Sequence, residues 1–222
     1  MFFRRSYSPE IMDDFSIKDD RIDSALKELK TINRFLGGNA VSRKAIESFN
    51  LDLNKTTILD IGAGASDILL KLNSNGSQPD IYSIDINPRA CRYTLINSPY
   101  VKTVCGDVRH LPFKNHVDII HGSLFFHHFR EDEIINILSQ LLELCSKGIV
   151  INDLRRSFLA WVGITLLTRL FSKSDMVKND GPLSVKRGFT KSDLTKILDS
   201  VSSGIYLIKR KWAFRWMVVI FK

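Results

Sequence analysis

A chain of 222 residues with 44% apolar and 25% charged side chains is long enough for one packed domain and too apolar for wholesale disorder. Lys and Arg outnumber Asp and Glu by 32 to 24, a net charge of +8 that suits anionic partners or plain solubility and decides nothing about fold. Three scattered cysteines, Cys91, Cys105 and Cys145, exclude a disulfide framework and a CxxC metal signature and suit a reducing cytoplasm.

The opening MFFRRSYSPE has no apolar stretch of the secretory kind, and Phe2-Phe3-Arg4-Arg5 reads as a frayed end. Ile22, Ala25, Leu26, Leu29, Ile32 and Leu36 recur at helical spacing, and Gly37-Gly38 stops that helix. A second helix follows through Val41, Ala45 and Phe49, so residues 1–50 read as an N-terminal helical cap. From there the pattern changes to five short apolar runs: TTILDIG (56–62), DIYSIDI (80–86), YVKTVCG (100–106), VDIIHG (117–122) and KGIVIND (147–153). Helical stretches separate them, at Asp67–Leu72, after the Asn87-Pro88 start signal, and over Glu131–Cys145. Strand and helix alternating at this spacing predict a parallel sheet with both faces covered.

Residues 157–171 (SFLAWVGITLLTRLF) are strongly apolar but shorter than the ~20 residues a membrane span needs, and Arg155, Arg156, Arg169 and Lys173 flank or interrupt them. The stretch 154–188 reads as a lid-like insertion, with Trp161, Leu166, Leu167 and Phe171 facing an apolar pocket or with the basic flanks touching an anionic membrane surface, and a core helix under the domain is an equal alternative for 154–176. A helix from near Thr190 precedes GIYLIKRKW (204–212) and FRWMVVIFK (214–222), which a tight break makes an antiparallel hairpin. Residues 51–222 thus form one α/β domain, a Rossmann-like seven-stranded sheet, mostly parallel, closed by that hairpin.

The run ILDIGAGASD ends the first strand with Gly62, Ala63 and Gly64, where such a sheet holds an adenosine-type ligand. Asp85 ends the second strand 21 residues after Gly64, the offset of a carboxylate that grips ribose hydroxyls. A dinucleotide fingerprint would place its third glycine at 67, where Asp67 stands. A carboxylate ~4 Å from a diphosphate costs on the order of 4 kcal/mol near a surface. Carboxylates such as Asp60 and Asp67 instead favour a cation, and S-adenosylmethionine carries an ammonium and a sulfonium and no phosphate.

With the glycine loop 58–67, Asp85, Gly106-Asp107, VDIIHGSLFFHHF (117–129) and the closing hairpin, the chain resembles a class I S-adenosylmethionine-dependent methyltransferase over nearly its whole length. The resemblance implies that Gly62 and Gly64 flank the methionine part of the cofactor, that Asp85 binds its ribose, and that Asp107 and the Val108 backbone meet its adenine. Asp60, Ala63, Ile86, Gly106 and Ser123 complete that set, and Asn33 and Arg34 are candidates for the methionine carboxylate. The family often has glycine where Ser66 stands. SPEIMDDF (8–15), NRFLGG (33–38), INDLRRS (151–157) and NDGPLSVKRGFT (179–190) look like a small-molecule subgroup associated with quinone-type or phenolic polyketide metabolism.

Methyl transfer needs near-attack geometry and exclusion of water, and a phenolic acceptor gains ~10²–10⁴-fold from a general base. His127, after the fourth strand, is the candidate base; in related methyltransferases its position faces the substrate while that of His128 packs inward. His128, Asp153, Arg156 and Trp161 are candidate substrate contacts. No metal is expected, because no histidine spacing supplies three ligands and His127 and His128 should point apart. The expected acceptor is a small lipophilic aromatic, with contact to a membrane surface as an addition. Two rivals stand beside it, an RNA or protein acceptor suggested by the charge, and a non-catalytic cofactor-binding module working through residues 154–176. No RNA-binding appendage is visible, and GSLF stands where many amino-group methyltransferases carry (N/D)PP(Y/F).

Overall fold

The computed structural model describes residues 4–66, 69–72, 78–113, 116–201 and 205–222. Seven strands form one sheet: β1 (Thr57–Ile61), β2 (Asp80–Asp85), β3 (Lys102–Cys105), β4 (Val117–Ser123), β5 (Cys145–Leu154), β6 (Tyr206–Lys211) and β7 (Arg215–Phe221). Their order is β3-β2-β1-β4-β5-β7-β6. The first five are parallel, and β7 inserts antiparallel between β5 and β6. This is the expected mostly parallel sheet with a closing hairpin.

The strands are apolar on both faces, as a sheet covered on both sides requires. Leu59, Ile120, Ile149 and Val218 face α4 (Glu131–Leu144) and α7 (Lys191–Val201), which bury Ile134, Leu138, Leu141, Leu194 and Ile197 there. Their neighbours Ile58, Ile119, Val150 and Val219 point the other way, toward Val41, Ala45 and Ile46 of α2 (Gly38–Glu47). Helix α2 therefore completes the sheet's own core. Helix α1 (Asp20–Phe35) packs Ile22, Ala25 and Leu26 against Ala65, Ala90 of α3 (Pro88–Asn97) and Val177 of α6 (Asp175–Arg187).

Pro88 opens α3 and the Asn87 side chain accepts from the Arg89 and Ala90 amides, as the start signal predicts. The insertion consists of α5 (Phe158–Phe171) packed against α6. The sequence reading placed no helix over α6, because Gly181-Pro182 punctuates it. Pro182 lies inside the helix, and Gly181 lets α5 approach: a Cβ there would lie 3.3 Å from Ile164 Cγ1 and Thr168 Cγ2. The helix expected at Asp67–Leu72 is a short 3-10 turn at Leu69–Leu72, and Asp67 lies outside the described residues. Phe2 and Phe3 also lie outside them, but Arg5 is not frayed; it donates to the carbonyls of Arg187 (2.6 Å) and His127 (3.1 Å).

Candidate functional site

At the carboxyl edge of β1, β2 and β4 lies a cavity of about 910 Å³, at the upper end of ligand pockets. The glycine loop forms part of its wall. Gly62 has φ +57°, and a Cβ there would lie 2.0 Å from the Phe125 ring, so no other residue fits. Asp85 Oδ2 accepts from Gly64 N–H (2.9 Å) and Oδ1 from Asn87 N–H (2.8 Å), fixing the loop against the end of β2. Burial pushes the Asp85 carboxyl above its ordinary value. Asp107 is clamped by Arg109 at 2.6 Å, which holds its carboxyl below the usual range, and Val108 follows it into a turn. Gly62, Ala63, Gly64, Asp85, Ile86, Gly106, Asp107, Val108 and Ser123 all line the cavity, and Ser123 Oγ is buried without a hydrogen-bond partner.

Asp60 does not line it. Its carboxylate accepts from Ser66 Oγ (2.9 Å) and pairs with His121 Nδ1 (2.7 Å), both buried. Ser66 has φ +46°, which explains why glycine is favoured there, and its hydroxyl bond holds the strained turn. The same polar chain continues from His121 Nε2 to Ser42 Oγ (2.7 Å), then through Asn152 Nδ2 to Arg215, whose Nη1 donates to Asn152 Oδ1 (3.2 Å). Arg215 Nη2 donates to Asn33 Oδ1 (2.6 Å). Arg215 thus sits fully buried with two amide oxygens and no carboxylate in contact, and its Nε has no partner. Burial lowers its pKa to about 10. Asp153 acts on it only at a distance, and the guanidinium lies on the cavity wall. Asn33 also lines the cavity, whereas Arg34 is exposed and does not.

A second polar cluster forms where the N-terminal segment crosses the turn after β4. His127 is buried, with Nδ1 2.7 Å from Asp153 Oδ1 and Nε2 3.5 Å from Glu10 Oε1. His128 Nδ1 lies 2.7 Å from Asp13 Oδ1. Arg187 Nη1 pairs with Asp13 (2.6 Å) and approaches Glu10 (3.7 Å). Glu10 also accepts from Ser184 Oγ (2.8 Å), while Asp180 accepts from the Ile11 and Met12 amides, so α6 stitches this segment down.

Four expectations change here. Burial alone would lower the His127 pKa, but Asp153 and Glu10 outweigh it and lift it to about 9, so the imidazole carries a proton at neutral pH and is not a free base. The two histidines do not point apart: their ring centroids are 4.3 Å apart with planes 33° from parallel. Nor does His128 pack inward; it is the more exposed of the two, and both line the cavity. Of the expected substrate contacts, only His128 reaches the cavity. Asp153 is buried beneath His127, Arg156 pairs with Asp193 (3.1 Å), and Trp161 stacks toward Phe158 and Lys186. From α5, Leu167 lines the cavity, whereas Leu166 and Phe171 are exposed.

Residues 58–148 match the family model described as a methyltransferase domain. That stretch, less than half of the chain, is similar to a methyltransferase domain. No curated protein matches the sequence. Among solved structures, the chain is similar to the plantazolicin methyltransferase BpumL in complex with SAH (17% identity, 95% of this chain and 97% of that one, TM-score 0.69). It is similar also to a SAM-dependent methyltransferase from Aquifex aeolicus (18%, 92% and 99%, 0.65) and to human N-acetylserotonin methyltransferase in complex with SAM (17%, 99% and 63%, 0.67).

Two of these structures hold SAH or SAM, and the residues present here would fit such a ligand. Gly62 leaves room that any side chain would fill, Asp85 presents a carboxylate, and the buried Arg215 guanidinium keeps one nitrogen, Nε, without a hydrogen-bond partner. Sequence reading missed Arg215, although a lone arginine inside the apolar run of β7 was a visible signal. It also missed Glu10, Asp13 and Arg187 as site residues, since nothing local predicts that segments more than 170 residues apart will meet.

Proposed function

We propose that this methyltransferase acts on a small, lipophilic aromatic acceptor, a phenol, quinone or polyketide-like compound, held between the apolar cavity wall and the Glu10–His127–His128 cluster. What carries this reading is the cavity's lining. Leu29, Ile32, Phe125, Phe129, Ile164 and Val185 supply an apolar wall, and charged groups gather at a few points of it. S-adenosylmethionine supplies an electrophilic methyl group. The chain's part is to hold the two partners and exclude water. Asp85 takes the ribose, Asp107 and Val108 the adenine, and Arg215 with Asn33 the methionine carboxylate. His127, held protonated between Asp153 and Glu10, donates a hydrogen bond to an acceptor oxygen rather than removing its proton.

Residues 1–50 serve as a cap and 154–188 as a wall over the acceptor. A cytoplasmic setting fits the free thiols Cys91, Cys105 and Cys145. An RNA acceptor is less favoured, since the basic residues are dispersed and the cavity is deep and apolar. A second reading, a larger azole-bearing acceptor, is motivated by the likeness to BpumL, whose structures hold desmethylPZN analogues.

Two measurements test the proposal. Methyl release is assayed over a panel of phenols, quinones, azole peptides and RNA, and turnover confined to RNA would overturn the acceptor class. Calorimetry compares wild type with Arg215→Met. S-adenosylhomocysteine affinity should fall at least tenfold, while 5′-methylthioadenosine, which lacks the carboxylate, should bind as before; equal loss for both ligands would remove Arg215 from its role.

A further inference from the structure

The cluster at the cavity wall has features that hydrogen bonding of an acceptor does not require. Glu10, His127 and His128 offer ligand atoms that all lie within 4.8 Å of one another, and no other trio of His, Cys, Asp or Glu among the described residues does so. Glu10 Oε1 is 3.5 Å from His127 Nε2 and Oε2 is 4.0 Å from His128 Nε2. Ligand atoms around a tetrahedral ion with bonds of ~2.0–2.1 Å stand about 3.4 Å apart, so the trio must draw together around an ion to complete the geometry. His127 Nε2 is buried, has no hydrogen-bond partner and is aimed at this point. Each imidazole has its other nitrogen on a carboxylate, Nδ1 of His127 on Asp153 and Nδ1 of His128 on Asp13, both at 2.7 Å. That is how metal-binding histidines are oriented, with the proton on Nδ1; at His127 an incoming ion would displace the proton from Nε2.

We infer that Glu10, His127 and His128 bind one divalent transition-metal ion of the zinc type, with Asp13 and Asp153 orienting the two imidazoles. Two nitrogens and one carboxylate suit Zn²⁺, Co²⁺ or Fe²⁺ and disfavour Mg²⁺. Three protein ligands leave an open position on the cavity side for water or an oxygen of a bound molecule. The inference concerns the same cavity as the proposed reaction but stands on the cluster alone; a bound ion would take the place of the His127 proton as the group that meets an acceptor oxygen.

The test is direct. Chelator-stripped protein is titrated with Co²⁺, followed by its visible absorption, and equilibrated with Zn²⁺ for metal analysis after gel filtration. Binding of S-adenosylhomocysteine is measured in parallel. One equivalent of cobalt with a nitrogen–oxygen spectrum, free of the thiolate band that Cys105 would add, is expected, and Mg²⁺ should not displace it. Glu10→Gln and His128→Ala should each weaken Co²⁺ binding at least tenfold, and Asp13→Asn, through ring orientation, about tenfold. Circular dichroism and retained S-adenosylhomocysteine binding establish that each variant folds. A folded wild type that takes up no cobalt at micromolar concentration, or variants that bind it unchanged, overturns the inference. Either result with cofactor binding intact leaves the methyl-transfer reading standing, whereas loss of cofactor binding in wild type fails that reading alone.

Discussion

Asp85 accepts two backbone N–H bonds that set the glycine loop, and its burial raises its pKa. The ionised form is the one that would grip the ribose, so acid should weaken cofactor binding at a pH above the usual carboxylate range. Stability runs the opposite way: the folded state holds that proton more tightly than the unfolded chain, so ionisation of Asp85 opposes folding at high pH, and the penalty fades as pH falls toward the unfolded value. Calorimetry across pH should show Asp85→Asn flattening the dependence on the acid side, and Asp85→Ala losing more than tenfold in affinity, the ~1.5–3 kcal/mol of a hydrogen bond to a charged group. Unchanged affinity in both variants would dismiss Asp85 as the ribose ligand.

Among the elements, α4 and α5 make a useful contrast. Both are apolar, yet α4 buries Ile134, Leu138 and Leu141 against the sheet, while α5 leaves Leu159, Leu166 and Leu170 exposed and turns Ala160, Gly163, Ile164 and Leu167 to the cavity. Leu138→Ala should cost ~2–5 kcal/mol in urea unfolding. Leu166→Ser should stay within ~0.5 kcal/mol and leave cofactor affinity untouched. The alternating strands, the Asn87-Pro88 start and the final hairpin were legible because period and turn chemistry are local. Helix α6 was not, since Gly181-Pro182 looks like a break until α5 is seen pressing on Gly181. The glycine loop and Asp85 were legible as neighbours at the sheet edge through their spacing. The placing of Glu10 and Arg215 on the cavity wall was not, because each depends on what a distant segment sets beside a buried charge.

At the scale of the whole molecule, the cavity draws its wall from Glu10 at one end of the chain to Arg215 at the other. A ligand there ties parts of every layer into one cooperative unit. S-adenosylhomocysteine at a hundredfold excess over its Kd should raise the unfolding free energy by about 2.7 kcal/mol, read as a higher Tm that depends on ligand concentration. No helix among the described residues is long and apolar enough to cross a membrane.

The segment that carries Glu10 and Asp13 is held by Asp180, Ser184 and Arg187. Its partners stand some 170 residues further along the sequence, so this wall of the cavity closes only when contacts of very long sequence separation form, which makes it one of the slower parts of the fold to assemble.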